Sequence, residues 1–437
     1  MKKLFFAVFV LLSQVGFSQQ LESAIITNPN HSDYDYKQLV RVFDTTTSVV
    51  MSCENGQYAF YLMQNGNISA KKVDVPTGYS VSDFCITEDK VVYFCGKNTN
   101  GYVGRFSFDA FDQQSSIDIT ANGMPNIDTL SKIKTYKDNA GSEYEHVVVL
   151  GEAGSYSVIF DFNNIAAYPN WECNVVATTS TTEKWKDIDF DSNYLVVAGL
   201  DGNSLYLHCF DKWNLTPVAE GYFTNPLGIA YSNERLFLKH LYDNLYVAVS
   251  EILLLPNNTY TYCQIIDFSS APLIKFAYER TLMHPQKNII RDIEYSKHDK
   301  ELLVLMTTGG VGGFEVKDLV VYTPLDQGLS LPTQIKAVYF SYNGMYPHFN
   351  SVRIYKPYNY IVAGVEPIHN NMLLFAKDKT QETPTSCNQS DHINMSGSDV
   401  STTATSINNL YTTSFSFSWN SPQITPTSDT LQVDCYN

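Results

Sequence analysis

The chain has 437 residues, 14% of them aromatic (30 Tyr and 25 Phe) and only 17% charged. Few charges together with much Tyr, Phe, Val and Thr exclude a fold built on solvated helices and favour strands. The formal net charge of −16 excludes nucleic acid and anionic bilayers as general partners, since both are held by Lys and Arg that neutralise phosphate.

Residues 1–18 have the layout of a secretory signal peptide. Met1-Lys2-Lys3 is a basic start, 4–12 an unbroken apolar run, and a small polar stretch ends at Gly16-Phe17-Ser18. Cleavage is expected near Ser18-Gln19. The run is far shorter than the ~20 residues that span a bilayer, and no Cys adjoins the cleavage point to carry a lipid anchor. The mature chain is therefore expected to be exported, to the periplasm, the outer surface or the medium. Downstream, Ile252-Leu253-Leu254-Leu255 is the longest dense aliphatic run and Pro256 stops it, so no membrane insertion is expected.

From residue 40 onward a unit of three short runs, separated by turn residues, recurs along the chain. It is seen first at Val40-Arg41-Val42, Val49-Val50-Met51 and 58–62. The clearest copy is Asp83-Phe84-Cys85-Ile86, then Val91-Val92-Tyr93-Phe94-Cys95 closed by Gly96, then an alternating run over 102–108. Ile133-Lys134-Thr135-Tyr136, Val147-Val148-Val149-Leu150-Gly151 and 155–160 follow. Next come Asp187-Ile188-Asp189-Phe190, Leu195-Val196-Val197-Ala198-Gly199 and 204–210. A looser copy is Ile229-Ala230-Tyr231, Leu236-Phe237-Leu238 and 245–249. Asp292-Ile293-Glu294-Tyr295 leads Leu302-Leu303-Val304-Leu305, a Gly309-Gly310 turn and 311–316. The last copy is Val352-Arg353-Ile354, Ile361-Val362-Ala363-Gly364 and 372–375. Asp83, Asp187 and Asp292 are 104 and 105 residues apart, two periods of about 52 in each case, which is blade-sized.

Units of this size, each a small antiparallel sheet whose middle strand is apolar on both faces, bury those faces only by stacking on neighbours. On these residues the chain resembles the seven-bladed β-propeller superfamily, of an exported bacterial type, over roughly residues 39–378. The resemblance implies an all-β ring of blades. It carries no subfamily mark: the Gly-His and Trp-Asp pairs of WD40 blades, the Gly-Gly pairs of kelch blades and the Ser-x-Asp-x-Gly-x-Thr-Trp box of sialidases are all missing. The expected division is 1–18 signal peptide, 19–378 propeller and 379–437 a Ser/Thr-rich segment. That last segment is expected to form a small β appendage or to complete the last blade. Within it, Ser414-Phe415-Ser416-Phe417-Ser418-Trp419 alternates as a strand with one buried face, and 430–436 is another strand.

Eight Cys are present, none in a C-x-x-C. In an exported chain they are free to pair, and eight allow 105 connectivities. Cys387 and Cys435 are disulfide candidates; joined, they would close a loop of about 48 residues, worth roughly 3–4 kcal/mol.

No residue is assigned a catalytic role, and no cofactor or metal is expected. Asp187, Asp189, Asp191 and Asn193 begin like a calcium loop. Ser192 stands where that loop needs Gly and Ala198 where it needs Glu, so a strand and turn are expected instead. Asp83, Asp187 and Asp292 share one position in the unit. They could ring the axis as ligands, but backbone N–H capping is the expected role. Thr307-Thr308-Gly309-Gly310-Val311-Gly312-Gly313 lacks the Lys and following helix of a phosphate loop, and a tight hairpin is expected. Tyr342, Tyr346, Tyr358 and Tyr360, and separately Tyr168 and Trp171, are grouped with Pro as sugar-stacking platforms would be, but inter-blade core or loop packing is the expected role for most of them. Asp44-Thr45-Thr46, Asp128-Thr129-Leu130 and Asp429-Thr430-Leu431 resemble a bacterial O-glycosylation acceptor. The expected function is a non-enzymatic scaffold binding a protein or glycan ligand through loops on one face. The alternatives are a polysaccharide-acting hydrolase or lyase, and a structural subunit of a secreted assembly.

Overall fold

The computed structural model describes residues 21–27, 34–54, 56–64, 67–111, 118–120, 127–137, 145–163, 170–178, 180–224, 231–255, 258–268, 275–282, 288–308, 317–324, 335–339, 347–365, 372–378, 391–393, 410–420, 427–428 and 430–436. Most of these lie in strands. No helix among the described residues is long and apolar enough to cross a membrane.

Strand β1 (Leu21–Thr27) stands apart from the strands that follow it. The first unit is β2 (Tyr34–Val42), β3 (Thr47–Glu54), β4 (Gln57–Gln64) and β5 (Asn67–Asp74). The second is β6 (Ser80–Ile86), β7 (Val91–Lys97), β8 (Gly101–Ser107) and β9 (Asp118–Thr120). The third is β10 (Thr129–Lys137), β11 (Glu145–Ala153), β12 (Tyr156–Asn163) and β13 (Asn170–Thr178). The fourth is β14 (Lys184–Phe190), β15 (Tyr194–Asp201), β16 (Ser204–Asp211) and β17 (Pro217–Thr224). The fifth is β18 (Tyr231–Tyr242), β19 (Leu245–Leu255), β20 (Asn258–Asp267) and β21 (Lys275–Leu282). The sixth is β22 (Asn288–Ser296), β23 (Glu301–Thr308), β24 (Lys317–Pro324) and β25 (Ile335–Tyr339). The last has only β26 (His348–Lys356), β27 (Asn359–Val365) and β28 (Met372–Asp378) in sequence, and β1 pairs antiparallel with β28 as its fourth strand.

Each unit is an antiparallel meander. The first strands of successive units touch one another in order, β2 to β6, β10, β14, β18, β22 and β26, and β26 touches β2 again. A closed circuit of radially stacked four-stranded sheets is a β-propeller, and the fold is all-β as the strand-rich composition implies.

The apolar second strands supply the core. Successive side chains on a strand point to opposite faces, and here both faces meet a neighbouring unit. Val147 and Val149 pack toward the second unit with Tyr93 and Val103, whereas Val148 and Leu150 pack toward the fourth with Ile188 and Leu195. The same division recurs at every junction. The ring closes through a cluster joining Val50, Ala59 and Tyr61 to Ile361, Ala363 and Leu374.

A second device repeats beside the core. The first strands of the second, third, fourth, sixth and last units each carry a bulge: at Val81/Asp83, Leu130/Lys132, Trp185/Asp187, Ile290/Asp292 and Phe349/Ser351. In four of these units the residue facing the bulge is glycine: Gly96, Gly151, Gly199 and Gly364. A Cβ on Gly199 would sit 2.8 Å from the Lys184 carbonyl oxygen, and one on Gly96 or Gly364 would sit closer still to backbone oxygen. Only a residue without a side chain fits there. Gly96→Ala is expected to cost about 1–3 kcal/mol, as overpacking of a tight core does. A denaturant midpoint equal to that of the parent would show that the bulge has room to yield.

Two sequence expectations need correction. Leu236-Phe237-Leu238 belongs to the first strand of the fifth unit and 245–249 to its second, a slip of one strand. β18 is 12 residues long and its apolar interior mimics a second strand. In the sixth unit the third strand is Lys317–Pro324, since Thr308 pairs with Lys317. The run 311–316, with the Gly-rich turn expected before it, lies outside the described residues.

After β28 the chain adds strands to outer edges. β29 (Asp391–Ile393) pairs with β25, and β30 (Leu410–Asn420) pairs with β13 and β9, joining the second and third units in one nine-stranded sheet. β31 (Thr427–Ser428) pairs with β5, and β32 (Thr430–Tyr436) pairs with β1. The alternating Ser-Phe run is thus an edge-covering strand, which removes unpaired backbone groups from exposed sheet edges. Cys85, Cys95, Cys173 and Cys209 are free thiols. Cys387 lies outside the described residues, as does the side chain of Cys435.

Candidate functional site at the ring axis

The first strands line the axis, and their charges alternate by unit. The first, third, fifth and last units contribute Arg41, Lys132 with Lys134, Lys239 and Arg353. The second, fourth and sixth contribute Asp83, Asp187 with Asp189, and Arg291, Asp292 and Glu294. Residues two apart on a strand share a face, so Lys132/Lys134, Asp187/Asp189 and Asp292/Glu294 each present a pair. Two cavities lie along this axis. One of about 110 Å³ is lined by Asp83, Lys132, Asp187, Phe237, Asp292 and Asn350 among others. One of about 380 Å³ lies toward the ends of the first strands, at Val42, Ile86, Thr135, Phe190 and Ile354. Arg41, Lys134, Lys239 and Arg353 line both.

The recurring Asp is a staple between units. Asp83 accepts the Phe84 N–H at 2.9 Å and, across the junction, the Ile133 N–H at 3.3 Å. Asp187 accepts the Ile188 N–H at 3.0 Å and the Leu238 N–H at 2.9 Å. Asp292 accepts the Ile293 N–H at 2.9 Å, the Val352 N–H at 3.0 Å and the Ser351 hydroxyl at 2.9 Å. The bulge just before each Asp re-aims the chain at that point, as bulges do. Elsewhere the same task falls to Ser157 at Trp185, Glu251 at Ile290, Asp318 at Phe349 and Ser351 at Val40. Arg41 bridges the first junction, donating to the Phe84 carbonyl at 2.9 Å and to Asp83. The capping role expected for Asp83, Asp187 and Asp292 is the one observed, and it takes place at the axis.

The Asp187–Asn193 run does not converge on one point. Asp189 accepts the His240 N–H at 2.7 Å, while Asp191 accepts the N–H groups of Asn193 and Tyr194 and the Tyr246 hydroxyl. Burial pushes the Asp187 carboxyl up despite Lys132 and Lys134 nearby. At Asp189 and Asp292 burial also acts upward, but Lys134 and Lys239 beside the first, and Arg353 and Arg41 beside the second, hold those carboxyls below their ordinary range. All three accept backbone N–H donors and face cations.

Other buried polar groups lie within the sheets. Glu183 accepts the Trp185 indole N–H at 2.6 Å and pairs with His208, both wholly buried. His146 pairs with Asp161 at 2.9 Å under the Tyr136 ring. Neither axial cavity reaches them.

The large cavity lies toward the face that carries the turns from first to second and from third to fourth strands. Tyr358, in the β26–β27 turn at φ 62°, is 42% exposed. Its ring meets that of His298, in the β22–β23 turn, edge-on at 4.7 Å. Trp213, in the β16–β17 turn, is 38% exposed, and the Lys212 ammonium lies 4.5 Å from its ring. Of the aromatic groups singled out in the sequence, Tyr360 is core rather than platform, at 1% exposure. Trp171 pairs with Phe417 in β13. Tyr168, Tyr342 and Tyr346 lie outside the described residues. Sequence reasoning missed Lys132, Lys134, Lys239 and Arg353; the available signal was charge repeating with period two in the first strands.

No family model matches the chain, and no curated protein is similar to it. Among solved structures it is similar to the Dos1 propeller, with 10% sequence identity and a TM-score of 0.45, over 82% of this chain and 96% of that one.

Proposed function

We propose that the chain is an exported, seven-bladed β-propeller acting as a non-enzymatic binding scaffold, which takes a protein or glycan ligand on the face where its first strands end. The observation that carries this reading is the exposure of Trp213 and Tyr358 on that face; aromatic rings of this kind anchor ligands by area and stacking. The occupied axial carboxylates count against the hydrolase or lyase alternative, which needs an acid–base pair free to act. Export is supported by the arrangement of the N-terminus: cleavage near Ser18-Gln19 leaves β1 whole. The test is binding of residues 19–437 to a glycan array, and capture of cell-envelope proteins, with the Trp213→Ala/Tyr358→Ala pair alongside. Selective binding that falls at least tenfold in the double variant is expected. Binding that is unchanged in the double variant, or none in either format, contradicts the reading.

A further inference from the structure

Alternation of charge around an odd ring cannot close. Going round from Arg41, cations and carboxylates alternate until Arg353 of the last unit meets Arg41 of the first with no carboxylate unit between them. The two cavities together are lined by six cations (Arg41, Lys132, Lys134, Lys239, Arg291 and Arg353) and five carboxylates. The large cavity alone has Arg41, Lys134, Lys239 and Arg353 against Asp189 and Glu294. In a chain of net charge −16 this is a cationic island.

The surplus is larger than the count suggests, because the carboxylates spend much of their accepting capacity on backbone N–H groups. Lys239 pairs with Glu294 at 2.9 Å, and Arg41 donates to the Val40 and Phe84 carbonyls and to Asp83, but the other cations of the large cavity are less well supplied. Lys132 approaches Asp187 no closer than 3.7 Å, and Lys134 reaches Asp189 only at 3.4 Å. Arg353 donates to Asp292 and to the Val352 carbonyl through Nη1 and lies 3.4 Å from Glu294 through Nε, so that Nη2 has no acceptor among the described residues. These side chains are only partly exposed, 29% at Lys134, 26% at Lys239 and 14% at Arg353; a partly desolvated cation with donors unfilled carries a cost, and an oxyanion supplies acceptors through charge-assisted bonds, bidentate where a guanidinium takes part.

We propose that the large axial cavity is a binding site for a small oxyanion, of the phosphate, sulfate or carboxylate class, held by Arg353, Lys134 and Lys239. The site does not depend on ligand capture by the loop face, and it would survive the failure of that reading. The experiment is titration calorimetry and thermal melting of residues 19–437 with phosphate, sulfate and citrate, against chloride at matched ionic strength. The expected result is one anion per chain, a raised melting temperature and an affinity that falls as salt rises. Lys134→Gln and Lys239→Gln are each expected to weaken binding about tenfold, while Lys97→Gln, an exposed lysine away from the axis, leaves it unchanged. Tetrahedral anions outbinding citrate would place the ligand in the phosphate or sulfate class, and the reverse order in the carboxylate class. No heat and no melting shift with any of the three, or equal weakening by Lys97→Gln, overturns the proposal.

Discussion

Asp292→Ala is expected to lower the unfolding free energy by about 3–5 kcal/mol, the cost of stripping the partner from a buried charge. Asp292 holds three units together. Its own strand supplies the Ile293 N–H, and the last unit supplies the Val352 N–H, the Ser351 hydroxyl and the Arg353 guanidinium. Ser351 in turn accepts the Val40 N–H of the first unit at 3.2 Å. Truncation leaves Arg353 with Glu294 and the Val352 carbonyl, and leaves two backbone donors unfilled. The effect is pH-dependent with a definite sign. Burial raises the Asp292 carboxyl, but Arg353, Arg41 and the Val352 N–H outweigh it and hold the folded value low. The contribution is therefore fully present above the unfolded value near ~3.9 and is lost as pH falls through the lower folded value. The gap between parent and variant should narrow on acidification below about pH 4. Denaturant titrations of both proteins at neutral and acid pH measure it, and a gap below about 1 kcal/mol at pH 7 would contradict the staple role.

Removal of residues 19–27 is expected to abolish the cooperative thermal transition of the 19–437 chain. β1 is hydrogen-bonded on both edges, to β28 through Ser23–Phe375 and Ile26–Met372, and to β32 through Leu21–Tyr436 and Thr27–Thr430. Without it the last unit has three strands, β32 loses its partner, and a bare edge faces solvent. Circular dichroism melts of the two chains decide the matter. Melting temperatures within a degree of each other would mean that β1 adds nothing to ring closure.

The repeat was legible because stacking imposes a pattern that local sequence carries. A middle strand buried on both faces must be apolar throughout, as at Val147-Val148-Val149-Leu150, and the glycine that ends it marks the bulge opposite. The recurring Asp was legible for the same reason: one geometry recurs, so one residue type recurs. What escaped was non-local. β1 completes a sheet whose other strands lie more than 300 residues away, and nothing in Leu-Glu-Ser-Ala-Ile-Ile-Thr names that partner. β30 reads as a strand by its alternation, yet its place between β13 and β9 follows from edges that only the folded ring presents. The axial charges escaped because each first strand carries only one to three of them. Their alternation exists around the ring and not along the chain.

Closure of the ring by the N-terminal strand is tested most directly by a cross-link in register. Ala24 stands opposite Leu374 on β1 and β28, a separation that suits a disulfide in an antiparallel pair. Oxidation of the Ala24→Cys/Leu374→Cys variant should give a monomer in which peptides containing positions 24 and 374 are joined, identified by mass spectrometry. Absence of that link, links only between chains, or an equal yield from Ala24→Cys with Ala376→Cys, two residues out of register, would contradict the closed ring.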